Sequence, residues 1–352
     1  MSTPNADVRS VVRDANLLSG EAAERVGDLG AAVGAYELAT QSADFATAGW
    51  AHFRLSRVAW LQGRYDDALR ELEMARALAQ PARDEELLAN TENGTGAVHY
   101  ARGNYAQARA CYHVALASTR DDVLRGKVFL NLGVIANIQG KFDEAREHYL
   151  RSRDAFQRAG DEVGLMQVLH NLGMLHADQL HWDEADEAYR EALRMSERVG
   201  DRHKVASVLL NQSEVYCARD ELDAAIASCE RALAIFTEVG DEVSRGETFR
   251  WQGYALRRNG ELPRAERVLN EAVRIAVRFQ VALLEAEAAR ELGAVRRALA
   301  DPLGAEKWLE RALDRFTALG AQREAAEVRE ELGTLPRRPE RIVPSDEGEA
   351  RL

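Results

Sequence analysis

Small and apolar positions recur along the chain at a nearly fixed distance, with polar runs between them. Asn131 to Ala145 reads NLGVIANIQGKFDEA, and forty residues on, Asn171 to Ala185 reads NLGMLHADQLHWDEA. Lined up on the small residue of the NLG triplet, the chain yields Gly20, Ser56, Gly96, Gly133, Gly173, Ser213, Gly253, Gly293 and Gly333, at spacings of 36, 40, 37 and then 40 five times. Twelve residues after each of the first eight stands an alanine, from Ala32 to Ala305. Four residues further comes a larger side chain: Tyr36, Leu72, Tyr112, Tyr149, Tyr189, Cys229, Leu269 and Leu309. Three residues after that, a second small column runs from Ala39 to Ala312, with Ser152 as its single exception to alanine. Steps of four, three and seven put these columns on one stripe of a helix. The pattern predicts eight helical hairpins and a final half unit, none able to bury its apolar face without a neighbour.

The punctuation between the stripes fits. QGRYDDA, RGNYAQA, QGKFDEA and NGELPRA place Gly just past the first helix of a unit, where positive φ is required, and an aromatic or Leu at the corner. Asp66, Asp143, Asp183 or Pro263 then opens the second helix, suiting the helix dipole and the first-turn preference for Pro. Near residues 160, 200 and 240, AGDE, VGDR and VGDE end a unit at Gly and offer Asp as the next N-cap.

These columns resemble the tetratricopeptide repeat: Leu-Gly in helix A, a Gly-x-aromatic turn, then Ala, a large residue and Ala in helix B. The resemblance implies an all-α chain, a right-handed superhelical solenoid of about eight hairpins over residues 7–334 with a C-terminal capping helix. Residues 1–6 are expected to be a flexible N-terminus, and the Pro-rich, charged residues 335–352 a disordered tail. The small residues would let helix A approach its own helix B, and the large residue would fill the gap between units. Forty residues exceeds the commonest repeat of 34. The longer form resembles the repeats of kinesin light chain, the Leu-Gly-Asn adaptors and bacterial peptide-sensing regulators. The sensors carry an extra N-terminal bundle or helix-turn-helix, for which a first repeat beginning near residue 7 leaves no length in this sequence.

Composition narrows the chemistry. A net charge of −12 and a pI near 5.3 give no electrostatic footprint for nucleic acid. Three cysteines without a CxxC pair suggest neither a disulfide framework nor a zinc site, and reduced thiols are expected. The N-terminus has no signal-peptide pattern and no apolar run is long enough to span a bilayer, so the expected setting is the cytoplasm, without a membrane partner. No phosphate loop, dinucleotide fingerprint, HExxH, GxSxG or EF-hand loop occurs, so no enzyme, catalytic residue or cofactor is expected. His170, His176 and His181 are spaced onto different faces, which argues against a metal site. The acids of DEADEAYREA at 183–192 read as a solvated face, Cys229 as a buried packing thiol, and Cys217 as facing the groove.

In the resembled family, helix A of each unit lines a concave groove that holds a protein or peptide. Counting the Leu-Gly pair as positions 7 and 8, position 6 of units four to six is Asn131, Asn171 and Asn211. A carboxamide both donates and accepts, so such a ladder suits the backbone of an extended peptide. The alternative is a bond to a neighbouring helix. Lys127, Asn137 and His170 occupy nearby groove positions. One end offers Trp50, Arg54, Arg57 and Trp60, the other Arg250, Trp251, Tyr254, Arg257 and Arg290. Arg and Trp are typical interface anchors, and this patch suits an acidic segment of a partner, or else pairs with Glu247, Glu287 and Glu291. No unit carries the Lys and Asn pair of the chaperone-tail clamp. The function implied is a non-enzymatic adaptor. The alternatives are a peptide-sensing regulator and a non-catalytic subunit of a larger enzyme or defence complex.

Overall fold

A computed structural model describes residues 15–336. The expected flexible N-terminus, the first residues of the repeat array and all of the expected tail beyond residue 336 lie outside them. The described residues form seventeen α-helices and no strand. The first helices of the hairpins are α1 (Ala15–Arg25), α3 (Phe45–Leu61), α5 (Glu85–Ala101), α7 (Asp122–Ile138), α9 (Glu162–Asp178), α11 (Arg202–Ala218), α13 (Glu242–Arg258) and α15 (Ala282–Ala298). Their partners are α2 (Leu29–Ala39), α4 (Tyr65–Ala82), α6 (Tyr105–Ser118), α8 (Phe142–Ala159), α10 (Trp182–Val199), α12 (Leu222–Val239), α14 (Leu262–Phe279) and α16 (Pro302–Ala318). The half unit is α17 (Gln322–Gly333). Two compact units divide at Met195 and Ser196, inside α10. Within each unit the A helices pack on their own B helices and on the next A helix, and the preceding B helix packs on that next A helix as well.

The helix ends follow from local chemistry. Asp44, Asp84, Asp161, Asp201, Asp241 and Asp301 each accept a hydrogen bond from a first-turn amide of the A or B helix they precede. Gly63, Gly103, Gly140 and Gly260 turn the hairpins with φ between 69° and 81°. Leu180, Asp220 and Ala300 hold the same left-handed place without being glycine, at φ 61°, 62° and 56°.

The large residue of helix B closes first onto its own helix A. A Cβ added at Gly96 or Gly133 would stand 2.5 Å from Tyr112 or Tyr149, and Gly20, Gly173, Gly253 and Gly293 face Tyr36, Tyr189, Leu269 and Leu309 as closely. Tyr112 then shares a cluster with Leu124 and Val128 of the next A helix, and Tyr149 with Val168 and Leu172. The column therefore closes onto its own helix A and, as expected, reaches the gap between units as well. Phe156 has that task more directly: its ring would collide with a Cβ at Gly126 on its own A helix or at Gly164 on the next. Phe236 and Phe316 stand at equivalent places in the second unit and are as deeply buried. Leu335, assigned by sequence to the tail, packs on the last cluster beside Val328 and Phe316.

Candidate functional site

In the first unit, successive A helices present one continuous set of positions. Trp50, Arg54, Arg57 and Trp60 come from α3, and Lys127 from α7; together they border a cavity of about 470 Å³. The Trp50 indole donates to Asp84, the N-cap of α5, at 3.0 Å and meets Phe53 edge to face, which fixes its plane. Trp60 is 43% exposed at the mouth. Arg54 pairs with Glu21 at 2.8 Å and Arg57 with Glu24 at 3.3 Å, whereas Lys127 has no carboxylate within 4.0 Å among the described residues. Phe53, Asn90, Asn93 and Gly94 also border the cavity and were not among the predicted site residues. The signal that marks the place is the break at position 6, where Gly94 precedes three asparagines.

The carboxamides differ from one another. Asn131 donates to Asn93 at 3.4 Å, a long bond that leaves the Asn93 amino group and the Asn131 oxygen unengaged. Asn171 is half-buried on α9, and its carboxamide makes no hydrogen bond among the described residues. Asn137 donates to Asp178 at 2.7 Å across the hairpins, so it serves the stack first. His170, expected in the groove, is buried against the Tyr189 ring with centroids 5.9 Å apart. Its imidazole is part of the packing. His176 and His181 stand 6.3 Å apart by ring centroid, and no group of three potential metal ligands occurs among the described residues.

In the second unit, Asn211 is half-buried on α11. Arg250 lies over Trp251 at 4.3 Å and pairs with Glu287 at 3.2 Å and Glu247 at 3.6 Å. Burial raises the Glu287 carboxyl above the ordinary glutamate range, with Arg250 drawing it down. Arg257 lies over Tyr254 and pairs with Glu291 at 2.9 Å, and Arg290 holds Glu327 and Glu331 of α17 at 2.9 and 2.6 Å. These guanidinium groups already have carboxylate partners, so an acidic segment binding here has to displace them. Cys217, expected to face the groove, is buried beside Leu256 and Val273, and burial pushes its thiol up to about 12. Cys229 is buried likewise, with its thiol also at about 12.

A model of the family described as the tetratricopeptide repeat matches residues 47–121, 124–198 and 204–276, well over half of the chain. The chain belongs to the tetratricopeptide repeat family. No curated protein sequence matches it. Among solved repeat structures, BtubC (BKLC) from P. vanneervenii is 24% identical over 62% of this chain and 92% of its own, with a TM-score of 0.55. A Rap protein solved with competence and sporulation factor is 13% identical over 90% of this chain and 95% of its own, TM-score 0.61. A STAND signal-transduction ATPase with a tetratricopeptide repeat sensor from Pyrococcus horikoshii is 15% identical over 92% of this chain, TM-score 0.71; the match spans 49% of the ATPase. At such identities these similarities establish the repeat fold. The repeat makes the chain a protein-interaction scaffold, and among the described residues no helix is long and apolar enough to cross a membrane.

Proposed function

We propose that the chain is a non-enzymatic adaptor that holds an extended segment of a partner protein against the A helices of residues 45–178. The observation that carries this reading is the set of unengaged amide groups on Asn93, Asn131 and Asn171, the first of which borders the cavity. Half-buried carboxamides with donors and acceptors left unengaged match the alternating N–H and C=O groups of an extended backbone and do not read its side chains. The Rap protein captured with competence and sporulation factor and the repeat sensor of the STAND ATPase support this use of the fold. The paired arginines of the second unit favour amide contacts over the capture of an acidic segment there.

Affinity capture with the tagged chain, run beside Asn93→Ala, Asn131→Ala and Asn171→Ala in one variant, tests the reading. Each lost hydrogen bond is worth about 0.5–1.5 kcal/mol net, so three together predict at least a tenfold weaker grip on the captured partner. The thermal midpoint should barely move, because the internal hydrogen bond these three carboxamides make among the described residues is the 3.4 Å contact between Asn131 and Asn93. Unchanged affinity removes the amides from the binding face.

A further inference from the structure

We propose that the cavity at Gly94 receives one bulky apolar side chain of the bound segment, and that a carboxylate next to it pairs with Lys127. This rests on the partner-binding reading of the same face. At the sixth position of consecutive A helices the chain has Gly94, then Asn131, then Asn171. Where the carboxamide is missing, the cavity opens, walled by Trp50, Phe53, Trp60 and Leu72. A Cβ at Gly94 would lie 3.0 Å from Leu72 and 3.6 Å from Phe53, so any side chain there takes up the floor of that space. Its volume of about 470 Å³ is within the range, roughly 300–1,000 Å³, of pockets that enclose small ligands.

The charge around the mouth selects what accompanies the apolar group. Arg54 and Arg57 are already engaged by Glu21 and Glu24, at 2.8 and 3.3 Å. Lys127 is exposed and has no ion-pair partner among the described residues, so a carboxylate from outside pairs with it without displacing an internal one. The neighbouring amides of Asn93 and Asn131 then hold the backbone that carries both groups. Gly94 is thus a specificity element within an array that otherwise reads only main chain.

Selection of phage-displayed random dodecapeptides on the full chain tests this, with Gly94→Asn, Trp60→Ser and Lys127→Glu in parallel. The unaltered chain should enrich Phe, Leu or Trp next to Asp or Glu. Gly94→Asn fills the cavity with the side chain the column carries elsewhere, and should weaken those peptides at least tenfold. Trp60→Ser alters a side chain that is 43% exposed, so it keeps the test decisive if the Asn variant does not fold. Lys127→Glu should abolish the preference for the acid. Peptides that lose binding with Asn131→Ala and Asn171→Ala yet bind Gly94→Asn and Trp60→Ser unchanged overturn the pocket and leave the partner-binding reading standing. A library that yields no binder overturns both.

Discussion

In four hairpins a bare glycine backbone lies directly under a tyrosine ring, and Gly133→Ser probes that packing. The added Cβ would stand 2.5 Å from two atoms of the Tyr149 ring, whereas carbon atoms rest at about 3.5–4.0 Å. The ring has to retreat by about 1 Å, but Tyr149 is only 2% exposed and shares its cluster with Phe156 and Leu172. Overpacking of this kind costs about 1–3 kcal/mol, against which leaving glycine in a helix interior returns about 0.5–1. A net loss of about 1–2 kcal/mol follows. Ser56 and Leu72 show how the chain itself accommodates a serine in this column, by shrinking the opposing side chain. Tyr149→Leu alone should cost about 1–2 kcal/mol, since it hollows the site. Combined with Gly133→Ser it should cost no more than about 1, a coupling of about 2 kcal/mol between the two positions. Stacked repeats need not unfold in one step, so urea unfolding is best paired with hydrogen exchange of the α7 and α8 amides. A double variant whose loss equals the sum of the two single losses would refute this account of the column.

Three further outcomes follow from local features. Leu180→Gly should raise the thermal midpoint, with a gain of about 0.5–1 kcal/mol: it relieves a left-handed residue at φ 61°, a cost of about 1–2 kcal/mol, offset in part by a freer unfolded chain. Ellman's reagent at about pH 8 should titrate only Cys111 in the native chain and all three thiols in denaturant, because burial holds Cys217 and Cys229 at about 12 and the thiolate is the reacting form. Asp44→Ala should cost about 1 kcal/mol near neutral pH by uncapping α3, where Asp44 accepts from the Thr47 hydroxyl and amide at 2.7 and 2.9 Å. Those bonds hold the Asp44 carboxyl below its usual 3.8, so the difference between variant and parent should be full above that value and vanish as pH falls through the lower folded one. Thermal midpoints of both chains across that range check it.

The repeat columns were legible because the same contact recurs every forty residues, and the Gly and Asp that punctuate them act within a few residues of themselves. Contacts across a hairpin were less so. The offset of sixteen residues from Gly133 to Tyr149 is constant along the chain, yet only the folded backbone shows that these two meet. Phe156, Phe236 and Phe316 were missed because serine, threonine and alanine occupy the same column in other units. The arginines of α13 and α15 were legible as residues but not as partners: Arg250 meets Glu287, thirty-seven positions on, and a list of groove residues does not rank that carboxylate above a partner's. The cavity was written as a gap in the asparagine series, and a gap is hard to notice among residues that are present. His170 and Cys217 show the converse: both hold groove positions by count, and both are turned into the packing by large neighbours.

The even spacing of Ser213, Gly253 and Gly293 has a consequence for how such a chain changes over time. Every junction in that stretch joins the same ends at the same offset. Duplicating or deleting residues 254–293 would leave each remaining hairpin facing the partner column it already fits. Copy number can therefore vary without any new packing problem being solved. A site such as the cavity at Gly94, built from side chains of α3, α4, α5 and α7, spans neighbouring hairpins and is carried or lost only with all of them.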